Sequence, residues 1–274
     1  LENRYADARG AAGRATRIEP EHAGAWFVRG EIERTSGRLD DALGLLDEAI
    51  KRAEAHIPAR NARAAILIDR RQFDAARTDV EFVRIRMPGD PQAAYLHARI
   101  LFHDGHRGAA REALSAAANA LARMRPEELR DHAPSALLAG IVAQAQERME
   151  DAYQYFSDYV NRFPFNASAN SRLASLALSR GELERAAKLV EPVLRAQPNN
   201  GRAHAVVGNV ALRQGKVAKA REHLTLASRA FPNNAVLAMQ RARAEILAGD
   251  EAAGRASLQA VMKGHPRNPR AALS

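Results

Sequence analysis

With no cysteine in the chain, histidines and carboxylates are the residues best suited to chemistry. His103-Asp104-Gly105-His106, with His97 upstream, has the composition of a metal-binding turn. A catalytic metal needs three converging ligands, each oriented by further hydrogen bonds. Polar residues are equally expected there if the stretch is an inter-helix turn. His204 and His223 fall on two different helices and read as helix-face histidines. Asp40-Asp41 and Glu127-Glu128 are adjacent pairs, so on a helix they diverge by about 100° and cannot flank one substrate. They suit helix N-termini, where negative charge opposes the helix dipole. The chain has no phosphate-binding glycine loop, no Gly-x-Ser-x-Gly and no His-Glu-x-x-His. The reading is therefore of a segment without catalytic residues, cofactor or metal.

The elements around these residues must be helices. Alanine and arginine dominate the 274 residues, aromatics make up 5%, and hydrophobic residues make up 46%, which favours many small helices sharing an extended core. The absence of cysteine excludes a disulfide framework without assigning a compartment. The formal charge of +9 is carried mainly by arginine. The cations look scattered and no aromatic-interleaved basic block occurs, which argues against nucleic acid as partner. No run approaches the roughly 20 apolar residues of a spanning helix.

The chain is periodic. Segments beginning at Ala23, Ile57, Pro91, Ala133, Ala167, Gly201 and Ala235 follow one another at 34 residues, with a single 42-residue step after Pro91. Position 8 of each repeat is small (Gly30, Ala64, Ala98, Gly140, Ala174, Gly208, Ala242), and so is position 20. Position 24 is larger and apolar: Leu46, Val80, Leu114, Phe156, Val190, Leu224 and Leu258. Small residues let two antiparallel helices approach, while the larger one is expected to fill space between hairpins. Gly37, Gly105, Gly181, Gly215 and Gly249 at position 15 suit a left-handed residue ending helix A. Arg71 and Glu147 take that place in repeats two and four and make those turns less regular. Pro88, Pro164, Pro198, Pro232 and Pro266 stop helix B, and Asp90, Asn166, Asn200, Asn234 and Asn268 can cap the next helix. Helix A is expected over positions 2–14 and helix B over 17–30.

This pattern resembles the tetratricopeptide repeat (TPR) family over nearly the whole chain, with Trp26 at the family's tryptophan position in the first repeat alone. The resemblance implies an all-α, right-handed solenoid of antiparallel helix pairs. It divides the chain into the second half of a truncated repeat (1–22), repeats one to three (23–124), an insertion (125–132), repeats four to seven (133–266) and the start of a further truncated repeat (267–274). The segment thus reads as cut from a longer repeat protein. The insertion reads as a lengthened helix B or an extra turn from Pro126, either a tolerated surface insertion or a joint between two blocks. Glu33 and Glu245 stand where the family has tyrosine, which loosens those hairpins on this reading.

The resemblance also implies a concave groove lined by helix A. Its candidate protein-binding residues are Phe27, Glu31, Arg34, Asn61, Tyr95, Arg99, Phe102, Leu137, Ile141, Gln144, Ser175, Asn209 and Arg243. Phe27, Tyr95, Arg99 and Phe102 form the best hot spot, since aromatics and arginine carry much interface energy; Phe102 can equally be core. Neither the Lys/Asn carboxylate clamp nor an asparagine ladder is found at the positions those specialised grooves require.

Residues 59–69, 88–98 and 134–140 further resemble the TPR proteins that accompany exosortase and PEP-CTERM sorting systems of exopolysaccharide-producing Gram-negative bacteria. That implies a scaffold in the cell envelope, periplasmic or lipid-anchored, with a cytoplasmic location as the alternative. The expected partner is a protein or peptide. Acidic polysaccharide is a further possibility, as is service as the docking arm of a larger enzyme such as a glycosyltransferase.

Overall fold

A computed structural model describes residues 2–264, which hold sixteen α-helices and no strand. They divide into two compact units, 1–163 and 164–274. The first unit opens with α1 (Glu2–Ile18) and continues with the hairpins α2/α3 (Ala23–Thr35, Leu39–Arg52), α4/α5 (Ile57–Asp69, Phe73–Arg86) and α6/α7 (Pro91–His103, Arg107–Ala122). A short α8 (Pro126–Asp131) precedes α9/α10 (Ala133–Ala145, Met149–Arg162). The second unit holds α11/α12 (Ala167–Ser179, Leu183–Ala196), α13/α14 (Gly201–Arg213, Val217–Ala230) and α15/α16 (Ala235–Leu247, Glu251–Gly264). Each unit is an all-α solenoid of antiparallel pairs, with one hairpin per 34-residue period. Pro266, Asn268 and segment 267–274 lie outside the described residues.

Every A helix begins at position 1, one residue earlier than expected, because its cap sits at the last position of the preceding repeat. The Asp90, Asn166, Asn200 and Asn234 side chains accept from the backbone N–H three residues on, at 2.6, 2.9, 3.0 and 3.0 Å. At the first two repeats histidine does the same work: His22 Nδ1 accepts from Ala25 N at 3.2 Å and His56 Nδ1 from Ala59 N at 3.1 Å. An imidazole caps in this way only when that nitrogen is unprotonated. Burial pushes His56 below its ordinary range and so favours the capping form.

The A-to-B turns place Gly37, Gly105, Gly181, Gly215 and Gly249 at φ between +70° and +86°. Arg71 and Glu147 adopt the same turn at φ +63° and +62°, so the helix packing imposes a left-handed residue even where a Cβ opposes it. That conformation costs an L-residue about 1–2 kcal/mol, and glycine's extra chain entropy returns about half of it. Arg71→Gly and Glu147→Gly are each expected to stabilise by up to about 1 kcal/mol, seen as a higher urea midpoint. An unchanged or lower midpoint would show that the turn carries no strain.

The core is built on contacts between positions 8 and 24 of the same hairpin. A Cβ on Gly140 would lie 2.7 Å from the Phe156 ring, and one on Gly208 would lie 2.6 Å from Leu224. The larger residue therefore sits over the small one inside its own hairpin, rather than only between hairpins as expected. Leu46 also joins a buried cluster with Ala59 and Ile66 of the following repeat.

A second regularity ties repeats together. The position-4 side chain donates to the backbone carbonyl six residues back: Trp26 to Pro20 O (2.8 Å), Arg60 to Glu54 O (2.7 Å), Asn170 to Pro164 O (2.8 Å) and His204 to Pro198 O (2.7 Å).

Two expectations are corrected by polar packing. Glu33 does not loosen its hairpin: it is buried, accepts from Arg9 Nε at 2.9 Å and pairs with Arg38. Glu245 likewise accepts from Ser257 Oγ at 2.7 Å and faces Arg241 at 3.2 Å. The insertion combines both expected forms, because α7 has 16 residues against 14 in α5 and is followed by α8. Met124 and Leu129 pack on Leu121, Leu138 and Val142, which places the insertion inside the first unit.

Candidate protein-binding face

In the first unit the A helices bring Glu31, Arg34, Tyr95, Arg99 and Phe102 to the surface, but most of their polar groups already have partners. Arg34 forms two hydrogen bonds of 2.7 Å with Glu31. Desolvation opposes its charge, yet the Glu31 hydrogen bond, with Asp69 and Tyr159 adding to it, holds its pKa above the ordinary arginine range. Arg99 reaches Asp69 of the preceding repeat at 2.7 Å and stands 6.0 Å over the Tyr95 ring. The sequence reading missed Asp69, which lies at position 13 and bonds to position 9 of the next repeat. The charged part of this face is therefore self-neutralising.

The aromatic candidates divide between core and surface. Phe27 packs on the Leu46 cluster and lies 5.1 Å from the His56 ring. Tyr95 packs against two buried clusters, so its ring is shared between core and face. Phe102 is 43% exposed. Asn61 is buried and donates to Asp90 at 3.0 Å, which makes it a tie between repeats rather than a contact point. Leu137, Ile141 and Gln144 are half-buried along α9.

In the second unit Ser175 donates to Ser171 O at 2.9 Å. Asn209 donates both to Ala205 O and to Gln240 Oε1, each at 2.8 Å. Arg243 is exposed. An open depression of about 420 Å³ lies beside Asn170, Glu184, Arg185, Lys188 and Leu189. These residues supply neither a nucleophile with its base nor three metal ligands.

Of the histidines that open the question of chemistry, His103, His204 and His223 make structural contacts. His103 stacks on Phe73 at 3.6 Å and bonds to Asp104, which Arg77 also holds at 2.9 Å. His204 and His223 meet Nδ1 to Nδ1 at 2.9 Å. Because Pro198 O can only accept, His204 Nε2 carries a proton and donates to it. Burial, and then the His204 charge, pushes the His223 pKa down. Among the described residues no group of three or more His, Cys, Asp or Glu is placed to hold a metal, and no helix is long and apolar enough to cross a membrane.

Stacked helical hairpins whose A-helix faces carry mixed polar and aromatic side chains define the class of α-solenoid scaffolds. A model of the tetratricopeptide repeat matches residues 2–57, 130–191 and 171–235, more than half of the chain. The chain belongs to the tetratricopeptide repeat family, whose members typically bind protein partners. No match is found among curated proteins. Of solved structures, a chain of the APC/C hetero-tetramer Cut9–Hcn1 superposes with a TM-score of 0.67 at 15% identity, over 98% of this chain and 51% of that one. This chain thus spans about half the length of that relative. PilF of Pseudomonas aeruginosa matches with a TM-score of 0.51 at 16% identity, over 79% and 95% of the two chains. PilW, described as a widely conserved type IV pilus biogenesis factor, gives 0.52 at 15%, over 80% and 99%. At such identities the likeness is one of fold.

Proposed function

We propose that this chain is a non-catalytic scaffold that holds a protein partner against its A-helix faces, within a bacterial cell-envelope assembly serving exopolysaccharide export or PEP-CTERM protein sorting. The observation that carries the binding role is the exposed Phe102 ring on α6 beside Arg99 and Tyr95, an aromatic and arginine cluster of the kind that anchors interfaces. The envelope setting is supported by the resemblance of residues 59–69, 88–98 and 134–140 to the exosortase-associated proteins. The structural likeness to a pilus biogenesis factor is compatible with that setting.

Because Tyr95 also supports the core, the clean variant is Arg99→Ala with Phe102→Ser. It is expected to weaken partner binding at least tenfold while helical content and the melting temperature stay within error. A photo-crosslinking residue at position 102 should trap one discrete protein in cells, and one at the exposed Arg111 of α7 should not. Adducts from position 111 alone would place the binding surface elsewhere.

A further inference from the structure

The net charge of +9 conceals a sharp division. Residues 1–163 carry 24 Lys and Arg against 25 Asp and Glu, a net charge of −1. Residues 164–274 carry 17 against 7, a net of +10. The whole cationic excess belongs to the second unit.

Part of the excess lies on the A helices of that unit. In the first unit Asp69 at position 13 and Arg99 at position 9 of the next repeat bond at 2.7 Å. The same two positions in the second unit, again thirty residues apart, are Arg213 and Arg243. Where one unit closes the junction with a salt bridge, the other carries an arginine at both positions. Arg213 donates to Leu178 O at 2.9 Å, a neutral acceptor. Neither arginine has a carboxylate partner among the described residues, and both are exposed. Helices α11, α13 and α15 hold five arginines and one carboxylate, Glu245, which Ser257 and Arg241 already engage. Like charges in neighbouring positions repel unless an anion is placed between them, and a guanidinium fork is matched to a carboxylate.

We propose that the A-helix face of the second unit binds an acidic polypeptide segment, one Asp or Glu side chain of which takes the place between Arg213 and Arg243 that Asp69 occupies beside Arg99. This rests on the scaffold reading and names the chemistry of its partner. The group to be filled is a carboxylate, because a carboxylate fills the equivalent position in the first unit. The flanking surface suits a peptide backbone. The Asn209 and Gln240 side-chain amides share one hydrogen bond, leaving each with an unused half, one donor and one acceptor, to meet a peptide unit. An aromatic platform for stacking nucleic-acid bases is missing from the residues around the two arginines, whose neighbours include Leu212, Met239 and Ile246.

The test uses the full chain and a fluorescein-labelled peptide of four Glu-Ser-Gly triplets, with its Gln-Ser-Gly counterpart as control. The Glu peptide should bind with an affinity that falls steeply with salt, and the Gln peptide should bind at least tenfold more weakly. R213D supplies an internal carboxylate of the kind seen at position 69, so it should abolish peptide binding while keeping or raising the melting temperature. Arg213→Gln with Arg243→Gln should also weaken binding at least tenfold. Retention of the Glu peptide by R213D, or equal binding of Glu and Gln peptides, would overturn the proposal. So would tighter binding of oligothymidylate, an alginate oligosaccharide or phosphatidylserine vesicles at matched charge, which would assign the face to another polyanion. If the peptide fails while Arg99 and Phe102 variants still disrupt partner capture, this inference falls and the scaffold reading stands.

Discussion

Asp79→Ala is expected to destabilise the first unit by about 3–5 kcal/mol, because removing one member of a buried ion cluster leaves the others desolvated and unpaired. Asp79 is 1% exposed and accepts from Arg60 Nη1 and from Arg63 Nε and Nη2, each at 2.7 Å. Arg60 is itself buried and lies 3.6 Å over the Phe82 ring, so it cannot swing out to water without unpacking that ring. Arg63 has a second carboxylate, Asp47 at 2.7 Å. Its pKa is raised chiefly by the Asp79 hydrogen bond, against desolvation. Trp26 is the single tryptophan and belongs to the first unit, so its fluorescence during urea unfolding isolates the relevant transition. A loss below about 1 kcal/mol would mean that the arginines recover solvent and that the cluster behaves like a surface pair.

Phe156→Ala comes next in size, at about 3–5 kcal/mol for a large side chain removed from a closed core. Phe156 is fully buried and its ring lies over Gly140, where an added Cβ would stand 2.7, 2.8 and 3.0 Å from three ring carbons. Gly140→Ala should therefore cost about 1–3 kcal/mol by overpacking. The decisive result is the combination. Gly140→Ala with Phe156→Leu returns some of the space the methyl group needs, so the double variant should be more stable than the sum of the single losses predicts. Strict additivity in denaturant titrations would show that the two positions do not share one packing site.

Much of the fold was legible because the period of 34 residues aligns equivalent positions, and equivalent positions repeat small residues, turns and stops. What the period hides is contact between positions that are not equivalent. Asp69 and Arg99 are thirty residues apart, so a comparison of like with like never sets them together. The candidate face therefore looked more open than it is. The repeat register places Asn61 on the lining, but its partner Asp90 is twenty-nine residues away and also caps the next helix. The histidine caps were missed for a different reason. Asn, Asp, Ser and Thr announce a helix start, whereas His22 and His56 do so only in one protonation state. The arginines are scattered along the chain, whereas the carboxylates that pair with them are concentrated in the first unit.

The position-4 latch has a consequence for how the array moves. Tryptophan, arginine, asparagine and histidine each supply an N–H to the same carbonyl, so this joint selects for a donor at a given height rather than for a residue type. Repeats three, four and seven carry Ala94, Ala136 and Ala238 there and have no side chain able to donate. Each latch contributes on the order of 1 kcal/mol, and a solenoid's stability is close to a sum of repeats and the seams between them. Each unit thus combines stiff and compliant seams, latched at repeats one and two in the first and at five and six in the second. Thermal opening should collect at the three alanine seams, which makes them natural places for an incoming partner to adjust the curvature of each unit.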